Sequence, residues 1–191
     1  MKLKTFSMGG VHPEENKITA EVATVVAPLP QQAIFPLSQH IGAPAKPVVN
    51  RGDKVKVGTL IAEANGFVSA PIYSSVSGTV LKVDTAIDAT GYRKPAIYIN
   101  VEGDEWEESI DRSETLETLD KHPELTPEEI VNRIKVAGVT GMGGAGFPTF
   151  IKLCPPPTAK AECVILNGVE CEPYITSDYR LMMEHADEIL V

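Results

Sequence analysis

A chain of 191 residues is long enough to bury a core and to form one domain or two small ones. Its hydrophobic fraction of 43% and charged fraction of 23% are those of an ordinary globular protein, whereas a formal net charge of -9 makes the surface repel polyanions. That charge, with no basic patch to offset it, makes nucleic acid or an anionic lipid face a poor partner for the body of the protein.

The N-terminus, Met1-Lys2-Leu3-Lys4-Thr5-Phe6-Ser7-Met8, has no continuous apolar run of the signal-peptide kind. No window reaches the length of a transmembrane helix, so a cytoplasmic polypeptide is expected, able to dock on a membrane complex. The spacing of Cys154, Cys163 and Cys171 matches no short metal-binding pattern, and reduced, mostly buried thiols are expected.

Residues 1–27 combine turn signals, Gly9-Gly10 and His12-Pro13, with an alternating run from Ile18 to Val26 that suits an edge strand. From Ala33 onward, short extended segments are divided by Pro and Gly. Residues 48–62 and 70–83 each give a strand, a Gly-centred turn and another strand, with Val and Ile at period two. This pattern resembles the barrel-sandwich hybrid of lipoyl and biotinyl domains. Those carriers present a modified lysine on the hairpin between the halves; here the hairpin is Glu63-Ala64-Asn65-Gly66-Phe67, a tight-turn sequence without lysine. The module therefore reads as a structural or docking domain. Lys54 and Lys56 read as solvated side chains on an outward strand face. Ala96–Val101 suits a closing strand, and the acidic stretch 102–124 reads as a solvated connector.

Thr126-Pro127-Glu128-Glu129 is a helix start: Thr126 can cap, Pro127 suits the first helical position, and Glu129 stands where a capping box needs it. Ile130, Val131, Ile134 and Ala137 then share a face, and Gly138 can end the helix. The stretch Gly141-Met142-Gly143-Gly144-Ala145-Gly146-Phe147-Pro148-Thr149 follows. Its glycines leave backbone N–H groups uncovered by any Cβ, so a phosphate can lie against the main chain. Gly141, Gly143 and Gly146 satisfy G-x-G-x-x-G, but that fingerprint follows a strand and opens a helix, whereas a capped helix precedes it here. A short helix is expected around residues 150–153, in which Lys152 is the cation nearest the loop in sequence. Glu162–Leu166 has the composition of a buried strand, and Asn167, Glu170 and Glu172 follow at its carboxyl end, where open α/β sheets bind ligands. Thr176 or Ser177 is then expected to cap a helix whose Leu181, Met182, His185 and Ile189 share a face, with His185 at the core or its boundary.

The glycine stretch together with Asn167-Gly168-Val169-Glu170-Cys171-Glu172-Pro173 resembles the FMN- and NADH-binding domain shared by the flavoprotein of respiratory complex I and the C subunit of the Rnf electron-transport complex. Gly9-Gly10-Val11-His12-Pro13, Gln39-His40-Ile41-Gly42-Ala43-Pro44 and the barrel-sandwich module resemble the Rnf C subunits specifically. The resemblance implies a two-module α+β chain. Residues 1–101 would be an all-β barrel-sandwich module with its core at 27–101, residues 102–125 an acidic linker, and residues 126–191 the start of a Rossmann-like α/β domain for FMN and NADH.

By the same resemblance, Gly141, Gly143 and Gly144 would lie against the cofactor phosphate and ribityl chain. Lys152 would contact the cofactor, and Asn167 and Glu170 would lie beside the flavin and nicotinamide. Met142 and Val169 depart from the complex I motif, which has arginine and aspartate there. The implied function is that of a peripheral subunit, on the cytoplasmic side of the cell membrane, in an ion-translocating NADH:ferredoxin oxidoreductase. Its partners would be NADH, the other Rnf subunits and, through them, ferredoxin. The family's 4Fe-4S clusters sit on C-terminal cysteine motifs that have no counterpart here, so no metal is expected in this chain; the chain is expected to be an N-terminal fragment, inactive alone. A non-catalytic docking module with a lipoyl-like fold is the alternative from a different class.

Overall fold

The computed structural model describes residues 13–190 apart from 89, 114, 143, 145, 157 and 160. The motif Gly9–His12 and the site candidate Gly143 thus lie outside the described residues. The chain divides into two compact units, Pro28–Ala161 on one hand and Met1–Ala27 with Glu162–Val191 on the other.

In the larger unit the period-two segments form two sheets. Strands β1 (Gln32–Pro36), β7 (Arg93–Val101), β6 (Gly78–Ile87) and β3 (Lys54–Val55) form one, in the order β1-β7-β6-β3. Strands β2 (Lys46–Pro47), β4 (Leu60–Glu63) and β5 (Ile72–Tyr73) form the other, in the order β2-β4-β5. All pairings are antiparallel, so each strand can bury one face and solvate the other. The two halves interleave: Gly52 N–H donates to Val80 O at 2.8 Å and Val80 N–H to Asp53 O at 2.9 Å, while Ser74 exchanges hydrogen bonds with Gly58 and Thr59. Phe35, Leu37, Val55, Ile61, Ile72, Val76, Val80, Ile97 and Ile99 fill the space between the sheets. The alternating Val and Ile form the expected strands, and their two interleaved sheets agree with the barrel-sandwich architecture that the resemblance to lipoyl domains implied. Lys54 is exposed but not free, since its ammonium lies 2.7 Å from Glu102, whose carboxyl that contact holds below its usual range. Lys56 lies 3.7 Å from Glu105, so the acidic stretch begins by pairing with the barrel.

Helix α1 (Pro127–Val136) starts as its sequence dictates. The Thr126 hydroxyl accepts from Glu129 N–H at 3.2 Å, and the Glu129 carboxylate accepts from Thr126 N–H at 2.7 Å, a complete capping box. Its end is a Schellman closure: Gly138 N–H donates to Lys135 O and Val139 N–H to Ile134 O. Gly138 has φ +71°, and a Cβ there would sit 2.4 Å from Pro71 O, so both the turn and the barrel demand glycine. The Tyr73 hydroxyl donates to Val136 O at 2.6 Å, fastening the helix end to the barrel. The short helix α2 (Thr149–Lys152) follows, with Phe150 buried.

In the smaller unit, residues 18–21 form a turn and Ile18–Val26 contains no strand, contrary to the alternation. The segment instead lies along helix α3 (Ser177–Glu184). Tyr174 N–H donates to Glu15 O, the Lys17 ammonium donates to Glu172 O and Ile175 O, and the Arg180 guanidinium donates to Ala20 O. These partners are more than 150 residues apart, so no local pattern announces them. A terminal helix, α4 (Ala186–Leu190), completes the described elements.

Glu162–Leu166 is also not a strand. Val164 is 87% and Ile165 83% exposed, because among the described residues no strand pairs with this run and nothing covers its side chains. Cys154, Cys163 and Cys171 are exposed rather than buried for the same reason: they lie in irregular segments outside both sheets. His185 is not in the core either; it stands at the C-cap of α3, exposed and paired with Glu188 at 2.6 Å, which raises its pKa.

Candidate functional site

The glycine stretch is a loop closed at its base and open at its tip. Thr149 N–H donates to Val139 O at 3.0 Å, Thr140 bridges Pro148, and Gly141 N–H donates to Phe147 O at 2.9 Å. Pro148 is fully buried, so the base is both hydrogen-bonded and packed. At the tip, Met142 is 90% exposed, and a Cβ on Gly144 would meet nothing within 4 Å. Phe147 and Pro148 therefore serve the base, while Gly144 puts no side chain into the open tip.

Lys152 comes back to this loop from the end of α2. Its ammonium lies 5.9 Å from the centre of the Phe147 ring, and a Cβ on Gly141 would sit 3.1 Å from its Nζ. The missing side chain of Gly141 thus leaves room directly beside a cation. Gly141 spends its own N–H on Phe147, so what the loop offers beside the ammonium is the open main chain at Gly144, and the two together suit the phosphate end of a flavin mononucleotide.

The loop also borders a groove of about 390 Å³, within the range of small-molecule sites, with residues 38–41 of the barrel on one side and Met142, Gly144 and Gly146 on the other. The Gln39-His40 segment was visible in the sequence as a family motif, but nothing local assigned it to this groove.

Asn167 and Glu170 belong to the smaller unit. The Asn167 side-chain oxygen accepts from Val169 N–H at 3.0 Å, forming an Asx turn over Gly168. Met182 of α3 packs on that turn; its Sδ lies 2.7 Å from where a Gly168 Cβ would be. One Glu170 oxygen accepts from Asp178 N–H at 2.9 Å and from the Ser177 hydroxyl at 3.2 Å. Glu170 therefore caps α3, a task the sequence suggested for Thr176 or Ser177. Thr176 is instead buried and bonded through its hydroxyl to Thr19 at 2.7 Å. The structure thus brings Gly141, Gly144 and Lys152 together in one unit, and Asn167 with Glu170 at the start of α3 in the other. Among the described residues, no group of three His, Cys, Asp or Glu side chains could hold a metal, and no helix is long and apolar enough to cross a membrane.

The larger unit thus joins a barrel-sandwich module to a clasped glycine loop with an adjacent lysine. Residues 134–191 match the Nuo51 FMN-binding domain. Residues 4–104 match the RnfC barrel sandwich hybrid domain, and the chain belongs to that family. It is 46% identical over 190 residues to the C subunit of the proton-translocating ferredoxin:NAD(+) oxidoreductase complex of Clostridium ljungdahlii, an alignment covering 98% of this chain and 40% of that protein. It is 43% identical over 193 residues to the C subunit of the Na(+)-translocating ferredoxin:NAD(+) oxidoreductase complex of Acetobacterium woodii, covering 100% of this chain and 42% of that one. The C subunit of an ion-translocating oxidoreductase complex from Pseudomonas aeruginosa is 39% identical, with 98% of this chain and 24% of the relative covered. The chain thus spans about two-fifths or less of the length of these relatives.

Proposed function

We propose that this chain is part of the flavin- and NADH-handling subunit of an ion-translocating ferredoxin:NAD(+) oxidoreductase, and that Gly141, Gly143, Gly144 and Lys152 hold the phosphate and ribityl end of FMN. The observation that carries this reading is the bare loop tip with the Lys152 ammonium beside Gly141, inside the segment that matches an FMN-binding domain. Main-chain amides need no desolvated counter-charge of their own, and one ammonium neutralises part of the phosphate charge. Bound FMN would supply the hydride- and electron-accepting ring. Asn167 and Glu170 are assigned to orienting the flavin and nicotinamide edges, with the first turn of α3 as their support.

The same reading divides the chain into a barrel module at 1–101, a linker at 102–125 and the start of a Rossmann-like FMN/NADH domain at 126–191. It places the protein peripherally on the cytoplasmic side of the membrane, among the other Rnf subunits, with 4Fe-4S clusters outside these residues and ferredoxin reached through the complex. The deciding experiment is a titration of the full natural polypeptide with FMN, followed by addition of NADH. Quenching of flavin fluorescence and then bleaching of the flavin absorbance are expected; no quenching would sink the proposal.

A docking role for the barrel is favoured by one feature. The connection between β4 and β5, where lipoyl carriers bear the lysine, is here an irregular segment of residues 64–71 rather than a tight Asn-Gly turn, and it exposes Phe67, at 78%. Phe67→Asp should then weaken assembly with neighbouring subunits, read by co-purification, while FMN binding persists.

A further inference from the structure

The barrel does more to the glycine loop than precede it in sequence. Ile41 N–H donates to Gly146 O at 3.1 Å. At Gly146, with φ +66°, a Cβ would lie 2.6 Å from Gln39 O and 3.0 Å from His40 Cα, so the two backbones touch with no room for a side chain. Behind this contact His40 is buried, 6% exposed. Its Nε2 accepts from Ala70 N–H at 3.1 Å, which assigns the ring proton to Nδ1, and Nδ1 lies 3.0 Å from Ile41 O and donates to it. One imidazole therefore ties Ala70, two residues before β5, to the residue that grips the glycine loop. Ser38 and Gln39, next to it, face the groove that the loop borders.

We propose that the 38–41 loop of the barrel forms the second wall of the flavin groove, and that His40 is the positioning residue that sets the glycine loop against it. This rests on the flavin reading above. Ser38 and Gln39 offer a hydroxyl and a side-chain amide, groups suited to the hydroxyl-bearing chain of the ligand. The barrel is then part of the cofactor site and not only a docking module.

The test uses the full natural polypeptide and reads FMN affinity by fluorescence and melting temperature by circular dichroism. Gly146→Ala forces the loop off Gln39, and His40→Leu removes both ring hydrogen bonds; each is expected to weaken FMN binding about tenfold. His40→Gln keeps an acceptor for Ala70 N–H and is expected to restore affinity to within about threefold of the parent. Gly52→Ala is the control. Gly52 has φ +93° with nothing within 4 Å of a Cβ, so its substitution strains the barrel away from the groove and should lower the melting temperature without changing FMN affinity. Should His40→Leu fail to fold, Gly146→Ala and His40→Gln carry the comparison. FMN binding by Gly146→Ala as tight as by Gly52→Ala overturns the second wall and leaves the flavin reading standing. Absence of FMN binding by the parent overturns both.

Discussion

The Glu170 carboxylate accepts the Asp178 backbone N–H at 2.9 Å and so satisfies one of the unpaired donors that open α3. A residue assigned to the nicotinamide edge is thus also a helix cap, and the two roles separate by substitution. Glu170→Ala removes the acceptor and should cost about 1 kcal/mol of stability, as lost caps do. Glu170→Gln keeps an oxygen for Asp178 and should unfold close to the parent. If Glu170 also orients the ring edges, Glu170→Gln will slow NADH-dependent flavin reduction in the full polypeptide while its thermal unfolding stays unchanged. Equal rates for the parent and the Gln variant would confine Glu170 to capping.

Lys152 makes its case through charge. Its ammonium lies beside the open side of Gly141, so Lys152→Met should weaken FMN by roughly ten- to a hundredfold, the range of a lost hydrogen bond to a charged group. The loss should shrink as salt rises, because an exposed cation is screened. Riboflavin, which has no phosphate, should bind parent and variant alike. A variant that discriminated against riboflavin as strongly as against FMN would place Lys152 away from the phosphate.

The capping box of α1 gives a prediction independent of any ligand. Thr126→Ala deletes the acceptor for Glu129 N–H and should lower stability by about 1 kcal/mol in urea unfolding. The Glu129 carboxyl, held below its ordinary pKa by the Thr126 N–H and hydroxyl, should titrate higher in that variant. An unchanged Glu129 titration would mean that the Thr126 hydroxyl does not act on the carboxylate in solution and that the backbone N–H alone lowers it.

What was legible in the sequence was whatever sequence neighbours decide. The capping box needs only residues 126–129, the Schellman glycine only its own turn, and the barrel strands declare themselves because period-two apolar residues must face one core. The glycine loop was readable as bare main chain, but its clasp to Ile41 joins residues 105 positions apart, and nothing near Gly146 encodes that. Thr176 was a plausible cap by type; it lost the task because Thr19 engages its hydroxyl, leaving Glu170 to reach the amide of Asp178. Glu162–Leu166 shows the opposite limit. An apolar run reports that burial would be favourable, but a strand also needs partners for its backbone, and none of the described residues supplies them.

The contact between α3 and the segment that lies along it should depend on acid. The Arg180 guanidinium, first, and then the Thr24 N–H at 2.9 Å both bond Glu184, whose pKa falls from an ordinary 4.5 to about 2. A carboxyl with a depressed folded pKa is ionised in both states above 4.5, so its stabilising contribution is complete there. As pH drops below 4.5 the unfolded chain binds the proton first, and the contribution declines until it is lost as pH passes about 2. Carboxylate-resolved NMR should therefore give Glu184 a midpoint near 2, and the Thr24 amide should shift with the same midpoint. In Glu184→Gln the acid-dependent shift of Thr24 should vanish, because the amide cannot titrate. A Glu184 midpoint above 4, or a Thr24 shift that survives the substitution, would show that Glu184 does not hold residues 20–24 on the helix.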